Sequence, residues 1–273
     1  MTDAADLMSP IALYLVATPI GDDADLSTRA TRLLLEAKLV VGEEFRPLTT
    51  LLKRIGRPRM ATKPGEISDL EILNEHSKLE DVGALADRIA AIHQGGGFTA
   101  LISDCGTPGF CDPGAPLVAE LRRRGLRSSA APGASALMCL LSLSGVRLDQ
   151  FVFRGFLPAS RDERETAVRD VVRETRPVIV MDTPYRLEKL MNELAAVMPS
   201  RLATLGCDFT SAQERTYQGS LSELAKMWAK KPEDQRKAEF MILLHEQSGQ
   251  PKQDPKATSP KPPTRRDESS KRR

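Results

Sequence analysis

What most constrains this chain is a rhythm. Short apolar runs of strand length alternate with stretches whose apolar residues recur at helical spacing, and Gly- or Pro-rich breaks separate them. Ala12–Thr18 is an apolar run ended by Pro19-Ile20-Gly21. Leu26, Ala30, Leu33, Leu34 and Ala37 then recur as one helix face behind Ser27, whose hydroxyl suits a helix start. Leu39–Gly42 reads as a second strand, followed by a short helix around Pro47–Ile55 and a loop over Gly56–Asp69. Val82–His93 predicts a helix ended by Gly95-Gly96-Gly97, and Phe98–Ser103 a strand leading into the loop Asp104–Gly114. Leu117, Val118 and Leu121 begin a helix that Gly125 closes.

The second half repeats the pattern. Helices are expected over Ala134–Ser144, Glu163–Glu174, Tyr185–Met198 and Leu221–Lys230. Strands are expected over Phe151–Phe156, Val178–Asp182, Leu202–Phe209, Thr216–Gly219 and Phe240–His245. Such alternation predicts α/β layers with largely parallel pairing. The closing strands lie nearer one another in sequence, so part of the second sheet should be antiparallel. The expected division is an N-terminal extension (1–11), an N-terminal α/β domain (12–130), a C-terminal α/β domain (131–246) and a disordered basic tail (247–273). The tail carries Lys252, Lys256, Lys261, Arg265, Arg266, Lys271, Arg272 and Arg273 among Pro, Ser and Thr. It has too little apolar surface to order itself. Contact with nucleic acid and simple solubilisation are equally open roles for it.

Hydrophobic residues make up 41% of the chain, enough for a sizeable core, but no apolar run approaches the ~20 residues that cross a membrane. Asp3 and Asp6 precede any apolar stretch, unlike the basic start of a secretory signal, so a cytoplasmic protein is expected. Cys105, Cys111, Cys139 and Cys207 form no Cys-x-x-Cys pair, and His76, His93 and His245 show no zinc-ligand spacing. No metal and no membrane association are expected.

Three loops carry Gly and Pro together: Thr18-Pro19-Ile20-Gly21, Asp104-Cys105-Gly106-Thr107-Pro108-Gly109 and Pro132-Gly133-Ala134-Ser135. In open α/β sheets, ligands bind where strands end and loops lead into helices. Glycine admits a ligand close to the backbone and proline fixes the turn. Each loop alone could be a tight turn; three together point to one shared cleft. The P-loop, dinucleotide and nucleophile-elbow patterns are absent from the sequence.

Read in order, these segments resemble the tetrapyrrole-methylase-like superfamily, and within it the small-subunit rRNA (cytidine-2'-O-)-methyltransferases. The resemblance rests on Leu13–Gly21, Glu43-Glu44-Phe45-Arg46, Asn74-Glu75-His76-Ser77, Ser103–Pro108 with Asp112-Pro113-Gly114, Pro132–Ser135 and Gly155-Phe156-Leu157-Pro158. It covers about Leu13 to Glu246. It implies a two-domain class III methyltransferase fold with a cofactor cleft between the domains, a homodimer, and S-adenosylmethionine as cofactor. Pro19, Gly21, Asp104, Gly106, Thr107, Pro108, Pro132, Gly133 and Ser135 would bind it, completed by Met181, Phe209 and Glu239. The implied reaction is 2'-O-methylation of a cytidine ribose in small-subunit (16S) rRNA.

The chain departs from the family at several points. Asp22 stands where Asn is usual, and Met181-Asp182-Thr183-Pro184-Tyr185-Arg186 replaces a Tyr-Glu-Ser-x-His-Arg stretch. Cys207-Asp208-Phe209-Thr210-Ser211 lacks two basic side chains, and Lys237-Ala238-Glu239 replaces Lys-Gly-Glu. A paralogue methylating a small molecule such as a tetrapyrrole, or a non-catalytic RNA-binding relative, therefore stands as an alternative.

A ribose hydroxyl is a weak nucleophile, and a general base would help it. Glu43, Glu44 and Asp104 are candidates. Glu44 could equally pair with Arg46, and Asp104 could cap its own loop. Arg46 and Arg186 could grip phosphate or simply stay solvated or ion-paired. His76 could orient substrate and Glu214 could hold a substrate loop; surface roles are the alternative for both.

Overall fold

In the computed structural model, residues 10–58 and 69–247 are described. Most of the expected extension and tail, and the centre of the Gly56–Asp69 loop, lie outside them. The first sheet contains β1 (Leu13–Val16), β2 (Leu39–Gly42), β3 (Leu70–Ile72), β4 (Thr99–Leu101) and β5 (Ser128–Ala131), in the order β3-β2-β4-β1-β5. Every pairing in it is parallel. Both faces are covered, as a parallel sheet requires. Alternate residues point opposite ways along a strand: Val40 packs with α1 (Thr28–Glu36) and α2 (Phe45–Arg54), while Leu39 and Val41 pack with α3 (Leu79–Gln94) and α4 (Gly114–Arg123). Ser27 caps α1, its hydroxyl accepting the Ala30 N–H at 3.0 Å. Gly125, at φ 71°, takes the left-handed turn that follows α4.

The second sheet contains β6 (Val152–Phe156), β7 (Val178–Met181), β8 (Leu202–Cys207), β9 (Arg215–Ser220) and β10 (Phe240–Leu244), in the order β6-β7-β10-β8-β9. Only β6 and β7 run parallel; β7–β10, β10–β8 and β8–β9 are antiparallel, as the crowding of the closing strands predicted. Its two faces are covered unequally. Val178, Val180, Leu205 and Ile242 pack beneath α6 (Arg161–Arg173), α7 (Leu187–Val197) and α8 (Leu221–Ala229), with Trp228 fully buried among them. The opposite face, with Ile179, Met241 and Leu243, meets one helix, α5 (Ala136–Leu143), through Leu140 and part of the first half through Ile20. The remainder of that face is free to wall a cleft.

Two strands lie outside the sequence expectation. Leu70–Ile72 is too short to show a period, and β5 is built of Ser128-Ser129-Ala130-Ala131, residues too small to read as an apolar run. Among the described residues, no helix is long and apolar enough to cross a membrane.

Candidate active site

Parallel pairing places the carboxyl ends of all five first-sheet strands along one edge. Read across the sheet, that edge carries Asn74–His76 after β3, Glu43 and Glu44 after β2, Asp104–Thr107 after β4, Thr18–Gly21 after β1 and Pro132–Ser135 after β5. The three Gly/Pro loops follow the adjacent strands β4, β1 and β5 and are bonded together. Thr18 N–H donates to the Gly106 carbonyl at 2.8 Å, Thr18 Oγ1 to the Ser103 carbonyl at 3.1 Å, and Thr107 Oγ1 to the Ala134 carbonyl at 3.2 Å. Two bare backbones are required there. A methyl group on Gly133 would come within 2.9 Å of the Ala17 side chain, and one on Gly21 would strike the Phe209 carbonyl and Ser211 amide. Gly21 thus lets the first half dock on the second, where Asp22 N–H also donates to Thr210 Oγ1 at 2.9 Å.

Between the halves lies a largely apolar cleft of about 250 Å³. Gly106, Thr107 and Ser135 reach it from the first-sheet loops; Met181, Phe209 and Glu239 reach it from the second sheet. Ile20, Phe110, Leu137, Phe153 and Met241 complete its apolar wall, with Cys105 and Cys111 at the edge. Ser135 also caps α5, accepting the Met138 N–H at 3.5 Å. The turn presenting Phe209 is held in a conformation that L-residues seldom adopt, with Asp208 at φ 52° and Thr210 at φ 61°. Asp208 accepts Arg215 Nη2 at 2.6 Å and the Glu239 N–H at 3.0 Å, while Glu214 accepts the Thr210 N–H at 2.6 Å. Burial, and then the nearby Asp208 charge, push the Glu239 carboxyl above its ordinary range.

A second cleft of about 590 Å³ is lined by Glu43, Glu44, Asn74, Glu75, His76, Asp104, Cys111, Asp112 and Pro113. Its five carboxylates make it strongly acidic. Partial burial and then the Glu43 charge raise the Asp104 pKa, and the Glu44 N–H on Asp104 Oδ1 at 3.3 Å opposes that rise. Glu43 Oε1 is buried and without a hydrogen-bond partner among the described residues. Glu44 makes no ion pair with Arg46 there. A third cleft, of about 400 Å³, holds Pro19, Gly21, Arg46 and Asp104. The three clefts abut, sharing Cys111, Asp104, Ile20 and Cys105 as common walls.

The structure therefore gathers Glu43, Glu44, His76 and Asp104 in one cleft and Arg46 in its neighbour. It leaves Pro108, Pro132, Gly133, Arg186 and Glu214 out of all three walls. Arg186 stands 3.8 Å from Asp182, and Glu214 acts on its own turn. The sequence expectation omitted Ile20, Phe110, Leu137, Phe153 and Met241. Ile20 lies in one of the three Gly/Pro loops already singled out, and Phe110 had a visible signal as the one large apolar residue among the glycines of its loop; Leu137, Phe153 and Met241 had none.

Comparison with known proteins accounts for this arrangement. The family described as Tetrapyrrole (Corrin/Porphyrin) Methylases matches residues 12–225. A protein of Xylella fastidiosa (strain Temecula1) named ribosomal RNA small subunit methyltransferase I is 35% identical over 239 residues, covering 87% of this chain and 82% of that protein. Its namesake in Mesorhizobium japonicum is 36% identical over 234 residues, covering 85% and 74%. Among solved structures, the cobalamin biosynthetic enzyme cobalt precorrin-4 methyltransferase superposes with a TM-score of 0.57 at 14% identity, covering 87% of this chain and 98% of that one. At that identity the likeness speaks for the fold alone. A methylase-type fold, loops from both halves meeting at one cleft, and curated relatives above 30% identity over most of their length agree: the chain is a methyltransferase and belongs to the tetrapyrrole (corrin/porphyrin) methylase family, alongside the ribosomal RNA small subunit methyltransferases I.

Proposed function

We propose that this protein transfers a methyl group from S-adenosylmethionine to the ribose 2'-hydroxyl of a cytidine in small-subunit (16S) rRNA, in the cytoplasm and as a homodimer. The observation that carries the reading is the junction of an apolar cleft and a carboxylate-rich one at the Asp104–Cys105 loop. The name borne by the relatives supplies the acceptor class.

The apolar cleft suits a nucleoside cofactor. It offers an apolar wall for a base, close backbone at Gly106, and in Glu239 a single carboxylate for a cationic ligand. When bound, S-adenosylmethionine supplies a methyl group on a sulfonium, already a good leaving group. The chain's task is then chiefly alignment and proton removal. Asp104 walls the second and third clefts and not the first, so we assign it to the acceptor side. Its raised proton affinity, caused first by burial and then by the Glu43 charge, makes it the better general base. Glu44 fixes Asp104 through its backbone N–H. Pro19, Pro108 and Pro132 act on the cofactor by setting the turns beside it, and Arg46, on the exposed wall of the third cleft, is suited to a flanking phosphate. Exposed apolar side chains on α5, with Met138 57% and Leu143 49% accessible, support a subunit contact.

The test is transfer of labelled methyl to small ribosomal subunits from a strain lacking the modification. Incorporation at a cytidine ribose is expected; its absence would overturn the reading. Light scattering on the purified protein tests the dimer, which Met138→Asp with Leu143→Asp should dissociate.

A further inference from the structure

Aromatic residues are only 4% of this chain, and its three tyrosines are used differently. Tyr14 packs edge-on against Phe98, 5.1 Å between ring centroids, and Tyr217 against Trp228 at 6.2 Å. Tyr185 is 77% exposed, the most accessible of the Phe, Tyr and Trp residues described. Lys237 Nζ lies 4.8 Å from its ring centroid and makes no ion pair among the described residues. Arg186, next in sequence, is 40% exposed at its side chain. An exposed ring with a lysine ammonium against it matches single-stranded nucleic acid, whose bases stack on aromatic faces while its phosphates meet positive groups.

Position and rigidity favour a built feature. Tyr185 stands four residues beyond Met181, and Lys237 two before Glu239; Met181 and Glu239 both wall the cofactor cleft. The ring sits in a single helical turn, Pro184–Arg186, opened by proline and closed by the Arg186 N–H on the Thr183 carbonyl at 2.9 Å. Beneath it Asp182 is 2% exposed at its side chain and pairs at 2.8 Å with Arg164, itself 4% exposed. Arg164 is anchored in turn to Glu193 at 2.7 Å and to the Pro158 carbonyl at 3.2 Å. A surface contact between a cation and a ring is weak and does not call for a buried ion pair under the turn. A pre-set platform for a ligand does, because ordering it beforehand lowers the entropy cost of binding. The carboxylate-rich second cleft repels phosphate, so the RNA backbone needs cations elsewhere along the site.

We propose that Tyr185, with Lys237 against its ring, is a stacking platform that holds one unpaired base of a single-stranded RNA segment at the mouth of the cofactor cleft. This rests on the reading of RNA as the acceptor, and the experiment separates the two. Fluorescence anisotropy with a short labelled single-stranded oligoribonucleotide measures RNA affinity of the full chain, and calorimetry measures S-adenosylmethionine affinity of the same variants. Tyr185→Ala should weaken RNA binding by about 5- to 100-fold, the effect of losing one base stack, while Tyr185→Phe keeps it. Lys237→Ala should reduce the salt slope of RNA binding by about one unit. Cofactor affinity should be unchanged in all three. Unchanged RNA affinity in Tyr185→Ala, an equal loss of cofactor affinity, or no oligonucleotide binding by the parent protein would each overturn the platform. Oligonucleotide binding that Tyr185→Ala weakens, with no methyl transfer to small subunits by the parent protein, would overturn the acceptor reading and leave the platform standing.

Discussion

The two main clefts share a wall at Cys111 but differ in almost everything else. The first is walled by Ile20, Leu137, Phe209 and Met241 and holds one carboxylate, Glu239. The second gathers five carboxylates and, among the described residues, no Phe, Tyr or Trp. The difference follows from strand order. Loops after β4, β1 and β5 face the sparsely covered side of the second sheet and take its apolar residues as their opposite wall. Loops after β3 and β2 lie at the far edge of the first sheet, and their side chains are polar. On the proposed function, nucleoside binding and proton removal fall to neighbouring parts of the carboxyl edge of one parallel sheet.

Four substitutions test that division. The largest effect is expected from Asp104→Asn, which keeps the shape and removes the base. It should lower kcat/KM by about 100- to 10,000-fold in a methyl-transfer assay while calorimetric cofactor affinity stays the same. Loss of cofactor affinity instead would erase the distinction between the clefts. Gly133→Ala should do the reverse: its methyl meets Ala17 at 2.9 Å, costing about 1–3 kcal/mol in thermal or denaturant unfolding and weakening the cofactor. A smaller effect, read in pH, is expected from Glu43→Gln. If Asp104 is the base as proposed, transfer needs it deprotonated, and its pKa, raised by burial and then by the Glu43 charge, should put the acid limb of kcat/KM above that of an ordinary carboxylate. Removing the Glu43 charge lowers that pKa, so the limb should move to lower pH. Last, His76→Ala removes a side chain that is 84% exposed on the second cleft's rim, and should raise KM for the small subunit with kcat unchanged.

Much of this arrangement was legible in the sequence, for identifiable reasons. Ser27, Gly125 and the Gly/Pro loops are local signals, set by caps and turns that depend on few neighbours. Leu39–Gly42 is buried at every position and reads as an uninterrupted apolar run. What stayed hidden depends on distant partners. β5 is a strand because β1 lies beside it, not because Ser128–Ala131 prefers one. Phe153 and Met241 face the cleft rather than the helices only because three helices cover one side of the second sheet and one helix the other. Arg164 lies in a run of charges that reads as a solvated helix face, yet it is 4% exposed and bound to Asp182 and Glu193. A single sequence does not show which arginine of such a run turns inward.

The most direct test of the account is calorimetric titration of the full chain with S-adenosylmethionine, beside a variant in which Gly133→Val fills the close approach to Ala17. The expected result is saturable binding of one cofactor per chain by the parent protein and loss of that binding in a variant that remains folded by circular dichroism. No binding by the parent protein, or undiminished binding by the variant, would contradict the claim that loops from both halves form one cofactor cleft.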